Sequence, residues 1–165
     1  MSKKAILEVK NLKISSKKNY LIHDLSFKVN FKEILGIVGE SGSGKSLTAL
    51  SIVDLIKYKG LKQEGEIVFN NSIIETVENK SWKTKKSEIA IIFQDPASYL
   101  NPSMKCGDQI IECIIGDKDK VSEATNLLKK VVIDDPMACL NKYPHELSGG
   151  QQQRVMIAMA LAKKP

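Results

Sequence analysis

Apolar and polar positions alternate along the first third of the chain. Ile6 to Val9 is a short apolar-rich run, Leu25, Phe27 and Val29 alternate with Ser26 and Lys28, and Ile34 to Val38 is apolar almost throughout. A period of two marks a strand with one buried face, and an unbroken short run marks a strand buried on both. These three runs are predicted strands, the third ending in a glycine-rich turn. From Lys45 the period lengthens, with Leu47, Leu50, Ile52, Val53 and Ile56 recurring at threes and fours, which predicts a helix lasting until Lys57 to Gly60.

Glu66 to Phe69, the pair Asn70-Asn71, and Ile73-Ile74 read as a hairpin, and Ile89 to Phe93 as a short buried strand stopped by Pro96. Beyond Asn101 the pattern is helical. Ile110, Ile111, Ile114 and Ile115 mark one segment, and Val121, Ala124, Leu127, Leu128 and Val131 mark another. Tyr143-Pro144 breaks this stretch, Ser148-Gly149-Gly150 is a predicted loop, and Val155 to Leu161 is apolar enough for a buried helix. Lys163-Lys164-Pro165 after a small apolar helix is how an α/β chain prepares its next strand, so the fold is expected to continue past Pro165. No internal repeat or linker interrupts the chain.

Composition narrows the class. The chain has 165 residues, 42% hydrophobic and 27% charged, which excludes collagen-like, low-complexity and disordered readings. No apolar run reaches the length of a membrane span, and Met1 to Lys10 lacks a secretory h-region, so a cytosolic location is expected. Cys106, Cys113 and Cys139 are odd in number and contain no CxxC pair, so reduced thiols packed as small hydrophobes are expected, rather than disulfides or zinc. The net charge of +6 suits an anionic partner without choosing one. The densest basic stretch, Lys80, Lys83, Lys85 and Lys86, has only Trp82 to stack a base, so it reads as solvated surface and nucleic acid is not an expected partner.

Gly39-Glu40-Ser41-Gly42-Ser43-Gly44-Lys45-Ser46 matches GxxxxGK[ST] between a predicted strand and a predicted helix, the context this motif requires. Its glycines let the backbone curl with N–H groups inward, and the helix start adds positive potential, so the loop is built to hold phosphate oxygens. Lys45 is expected at the β- and γ-phosphates and the Ser46 hydroxyl on the Mg²⁺ that bridges them, with Leu47 continuing the binding turn. This loop alone does not separate kinases, GTPases and transport ATPases.

Leu147-Ser148-Gly149-Gly150-Gln151-Gln152-Gln153-Arg154 before an apolar helix resembles the signature motif of ATP-binding cassette (ABC) ATPases. Phe93-Gln94-Asp95-Pro96 with Leu100-Asn101-Pro102, Tyr143-Pro144-His145-Glu146, and Arg154 to Leu161 resemble, more narrowly, the ATPase subunits of dipeptide, oligopeptide and nickel importers. The resemblance covers essentially the whole chain. It implies an α/β P-loop NTPase fold of ABC type, with an N-terminal antiparallel β part, a RecA-like core incomplete at the C-terminus, and a helical insert. The corresponding division is 1–100 for the β-rich and P-loop part, 101–146 for the helical subdomain, and 147–165 for the signature loop and helix. It further implies that Ser148, Gly149, Gly150 and Gln151 face the γ-phosphate of ATP held by a second ATPase subunit, identical or homologous. Gln94 becomes the Q-loop glutamine, an amide relay near Mg²⁺ and the attacking water. Family members stack an aromatic on adenine from the loop before the second strand, and Tyr20 is the nearest aromatic here.

The family's acidic Walker B motif, the catalytic Glu after it and the switch His fall beyond Pro165 by this resemblance. His145 precedes the signature and is read as structural, and neither Glu40 nor Glu146 has a spacing argument for general base, so no catalytic base is assigned. In this fold later strands pair beside Ile34 to Val38, whose ladder groups would otherwise stand on an open apolar edge; the isolated chain is expected to be unstable or to aggregate. The expected function is the N-terminal, Mg-ATP-binding part of an uptake-transporter ATPase subunit. It would work with transmembrane subunits, peripheral on the cytoplasmic face of the cell membrane, with dimer closure and hydrolysis driving transport. Two alternatives stand beside it. One is a truncated nucleotide-binding remnant or interaction module without turnover; the other is a soluble cassette of DNA repair or translation, whose members lack the importer-type segments around Gln94 and Tyr143.

Overall fold

The computed structural model describes residues 4–17, 19–75, 88–116 and 119–165. The basic stretch around Trp82 lies outside them. The chain divides into two compact units, Met1–Lys86 and Ser87–Pro165.

The first unit is built on an antiparallel sheet of order β2-β1-β3-β4. Its strands are β1 (Ala5–Ser15), β2 (Tyr20–Asn30), β3 (Lys62–Phe69) and β4 (Ser72–Glu75). Val9, Leu12, Ile14, Ile22, Ile67 and Phe69 are buried on it. The two-residue turn predicted at Asn70-Asn71 forms with φ of 47° and 60°, the left-handed pair that matches strand twist, and asparagine tolerates this better than other side chains. In the middle of β1 the alternation skips. Between the pairs Lys10↔Glu66 and Lys13↔Glu64 two residues of β1 stand opposite Gly65 alone. Asn11 turns left-handed there (φ 49°), its N–H donating to Ser26 Oγ at 2.8 Å and its amide to Asp24 at 3.2 Å. Gly65 has φ +104°, and a Cβ on it would sit 2.6 Å from the Asn11 carbonyl oxygen, so the bulge admits only glycine.

Helix α1 (Lys45–Ile52) is shorter than its hydrophobic period predicts. Asp54 goes left-handed (φ 56°), its N–H donating to the Ser51 carbonyl and that of Leu55 to the Leu50 carbonyl. That bonding closes the helix, and a 3-10 turn, Ile56–Lys59, takes over with Ile56 fully buried.

The predicted strands at Ile34 to Val38 and Ile89 to Phe93 are not paired. Neither belongs to a ladder among the described residues. Ile34 is 98% exposed and Val38 94%, and Ile92 is half exposed. The apolar runs are real, but a strand exists only beside another, and among the described residues no strand pairs with either run.

The second unit is helical: α2 (Pro96–Tyr99), α3 (Cys106–Cys113), α4 (Lys120–Lys130), α5 (Pro136–Asn141) and α6 (Gly149–Ala162). Asp95, Asp119 and Asp135 cap α2, α4 and α5 by accepting from backbone N–H groups, and Pro96 and Pro136 open the first turns. Cys106, Ile110, Leu128, Val155 and Ala158 meet in the core. Helix α3 lies so close to α5 that a Cβ on Gly107 would be 2.7 Å from the Leu140 carbonyl oxygen. No helix of the described residues is long and apolar enough to cross a membrane.

Candidate functional site

The phosphate-loop residues Gly39 to Ser46 form an exposed turn leading into α1. Gly42 and Gly44 take φ of +83° and +94°, which a side chain would resist. Gly44 is the N-cap of α1 and no side chain caps that helix, so its first-turn donors are left to an incoming group. A Cβ at Gly42 would meet nothing within 4 Å, and the loop is open on that side. The Lys45 ammonium is turned back into the loop, donating to the carbonyls of Gly39 (2.7 Å) and Glu40 (2.6 Å) and, at 3.4 Å, to Ser43 Oγ. An anion seated on the loop competes for that ammonium, so a ready cation and uncapped donors converge on one place. This donor set fits a nucleotide phosphate.

Tyr20 belongs to the same unit. It is the first residue of β2 rather than part of a loop, half exposed, with its ring 5.8 Å from that of His23. Its neighbours touch the phosphate loop: a Cβ on Gly44 would lie 3.0 Å from Ile22 Cγ1 and 3.6 Å from the Leu21 carbonyl oxygen.

Gln94 and the signature residues lie in the other unit. Gln94 is exposed, between the ring of Phe93, which stacks on Tyr99 at 3.7 Å and 3°, and Asp95, whose carboxylate accepts from the Ala97 N–H and the Ser98 hydroxyl. The clasp of Phe93, Asp95, Ser98 and Tyr99 fixes the chain on both sides of the glutamine. Ser148, Gly149 and Gly150 are not a free loop: Ser148 is the N-cap of α6 and the glycines are its first turn. Ser148 Oγ accepts from the Gln151 N–H at 3.3 Å while Gln151 Oε1 accepts from the Ser148 N–H at 3.0 Å. This capping box uses the serine oxygen as acceptor and leaves its O–H to donate outward. Both glycines are exposed, with nothing within 4 Å of an added Cβ.

Two residues that motif reading passes over are tied to these elements. Gln109 sits on the apolar face of α3, three residues after buried Cys106, and holds the backbone of Asn101 and Met104 on either side of Pro102; a polar residue at a core position of a helix was the signal for it. Arg154, in the second turn of α6, donates to the Val132 carbonyl at the end of α4, a link that no local pattern announces. His145 stacks on Tyr143 at 5.6 Å, and the Glu146 carboxylate accepts from the Tyr143 N–H at 2.7 Å. Among the described residues no three His, Cys, Asp or Glu groups gather as a metal site.

Residues 22–165 match the ABC transporter family. The chain is 44% identical over 147 residues to the dipeptide transport ATP-binding protein DppD of Escherichia coli strain K12, covering 86% of the chain and 45% of that protein. It is 42% identical over 172 residues to the oligopeptide transport ATP-binding protein OppD of Bacillus subtilis strain 168, covering 97% of the chain and 48% of the relative. The chain thus spans about half the length of these curated relatives. Among solved structures it resembles a bacterial ABC transporter cassette determined as a dimer, with TM-score 0.77 and 26% identity over 96% of the chain and 70% of that structure.

Proposed function

This chain belongs to the ABC transporter family, and we propose that it is the Mg-ATP-binding portion of the ATPase subunit of a peptide-type importer. The observation that supports this most is the pair of helix starts with complementary designs. Helix α1 opens on an uncapped glycine loop with Lys45 turned into it, and α6 opens on a serine hydroxyl backed by bare glycines. The identity to dipeptide and oligopeptide ATP-binding proteins supports the substrate class.

In this reading the backbone N–H groups of Gly39, Glu40, Ser41, Gly42, Ser43, Gly44, Lys45, Ser46 and Leu47 line the phosphate site. Lys45 leaves the carbonyls of Gly39 and Glu40 for the β- and γ-phosphate oxygens, and Tyr20 stacks on the base. Ser46 and Gln94 are the residues that would hold Mg²⁺, which would supply positive charge to offset that of the phosphates. Ser148, Gly149, Gly150 and Gln151 donate to the ATP of a second ATPase subunit. The helical segment 101–146 docks the membrane subunits on the cytoplasmic face of the membrane. A groove of about 380 Å³ on this segment, lined in part by Met104, Ile111, Val121, Met137 and Tyr143, supports that role.

The test is a titration of the full-length polypeptide as it occurs in its cells with a fluorescent ATP analogue and Mg²⁺, against Lys45→Ala. Saturable binding that Lys45→Ala abolishes is expected. Absence of binding in the wild type, or equal binding in the variant, overturns the proposal.

A further inference from the structure

The end of α4 is closed by a residue ill suited to the conformation it holds. Val131 is the C-cap, Val132 follows with φ +60°, and the bonding is that of a left-handed helix stop. The Val132 N–H donates to the Lys129 carbonyl at 3.0 Å, and the Ile133 N–H to the Leu128 carbonyl at 3.1 Å. Ile133 and Leu128 are both buried, the apolar contact that accompanies this motif. Glycine adopts the left-handed position freely, whereas a β-branched side chain crowds the following carbonyl. The subunit recovers little for that strain, since Val132 is 65% exposed.

The location of this corner gives the strain a meaning. Arg154 of the signature helix donates to the Val132 carbonyl, so the corner is tied to α6. Between them lies a polar depression of about 220 Å³ bordered by Val132, Asp134, Ser148, Gly150, Gln151 and Arg154. An exposed apolar side chain, held in a costly conformation, thus stands on the rim shared with the signature residues.

We infer that Val132 is a contact residue for a second copy of this chain, buried when the signature face closes on ATP. This rests on the proposed function above, in which Ser148 to Gln151 face a second subunit. The valine is strained in the free subunit and is covered in the closed dimer, so its apolar surface favours closure.

The experiment uses the full-length polypeptide as it occurs in its cells, with Val132→Gly and Val132→Ala variants. Thermal unfolding is measured alongside dimer formation by analytical ultracentrifugation in ATP without Mg²⁺. Val132→Gly is expected to unfold at a higher temperature and yet to dimerise about tenfold more weakly, two copies of the side chain being removed from the contact. Val132→Ala is expected to weaken the dimer similarly with a smaller thermal gain. A stabilised Val132→Gly variant that dimerises like the wild type overturns the contact role alone. A destabilised one overturns it too, because the valine would then serve its own subunit. A wild type that stays monomeric in ATP overturns the dimer reading on which the inference stands.

Discussion

Gln109 supplies a test of how the helical unit holds the segment that follows Gln94. Its side chain is 4% exposed and makes three hydrogen bonds to one short stretch. Nε2 donates to the carbonyls of Asn101 and Met104, each at 3.0 Å, and Oε1 accepts from the Asn101 N–H at 2.9 Å. Leucine has nearly the same volume and helix propensity, so Gln109→Leu removes the bonds and little else. At about 1 kcal/mol net per bond the loss is about 3 kcal/mol. Two features reduce it: the Asn101 carbonyl keeps the Met104 N–H, at 3.3 Å, and Asn101 is exposed, so water can reach its N–H. The expected cost is about 2 kcal/mol, a drop of about 1 M in the urea midpoint followed by far-UV circular dichroism. Gln109→Glu sharpens the test. It keeps the acceptor for Asn101 but turns a carboxylate oxygen toward two carbonyls, so at neutral pH it should cost more than leucine. The clash raises the carboxyl's folded-state pKa above its unfolded value. The resulting stability is present at low pH and is lost as pH rises, so acidification to about pH 4 should narrow the gap to wild type. A leucine variant within about 0.5 kcal/mol of wild type, or a glutamate variant no worse than leucine at pH 7, refutes the assignment of the bonds.

Gly65→Ala should destabilise the first unit by about 3 kcal/mol or more, seen as loss of a cooperative thermal transition, because its methyl meets the Lys10 and Asn11 carbonyls at 2.7 and 2.6 Å and its φ is +104°. The same change at exposed Gly36, which meets nothing within 4 Å, should stay within about 0.5 kcal/mol; equal effects at both sites would overturn the bulge argument. Burial pushes the Cys106 thiol up to about 12 and raises Cys113 and Cys139 as well. A folded chain that keeps protons the unfolded chain releases is fully stabilised below about pH 9 and loses that stability as pH rises toward 12. The urea midpoint should therefore fall between about pH 8 and pH 10.5, with Cys113, only partly buried, reacting before Cys106 and Cys139 with a thiol reagent; a rising midpoint would contradict this.

What could be read from the residues alone follows from the range of the interactions involved. The helices of the second unit are specified locally. The Asp-Pro pairs at 95–96 and 135–136 and the serine-to-glutamine box at Ser148 and Gln151 each carry their starting signal within a few residues, and the apolar stripes of α3 and α4 fill one core. The Asn70-Asn71 hairpin was legible for the same reason. The motif residues of the phosphate loop and signature were legible because phosphate binding needs bare backbone at a helix start, and glycine is the sequence signature of bare backbone.

The helix start at Ser148, read as a loop, carried a local signal in its serine-to-glutamine box; the other misread elements depend on something outside the window. Helix α1 stops at Ile52 although apolar positions continue, because Asp54 turns left-handed and Ile56 is buried from a different turn. The β1 bulge needs Gly65 from a strand more than fifty residues away, and alternation read along β1 alone does not reveal it. Ile34 to Val38 carries the composition of a central strand and, among the described residues, none of its pairing. An apolar pattern records the environment a segment is suited to, whereas a ladder requires a second segment to supply the hydrogen bonds. Ile34 and Val38 lie in water with side chains suited to a two-sided core, so the sequence at these positions is matched to a more complete sheet than the described residues form. The apolar run exposed beside the phosphate loop links the fold to the function: Gly39 follows Val38 directly, so the path of that run sets the position of the Gly39 carbonyl that accepts from Lys45.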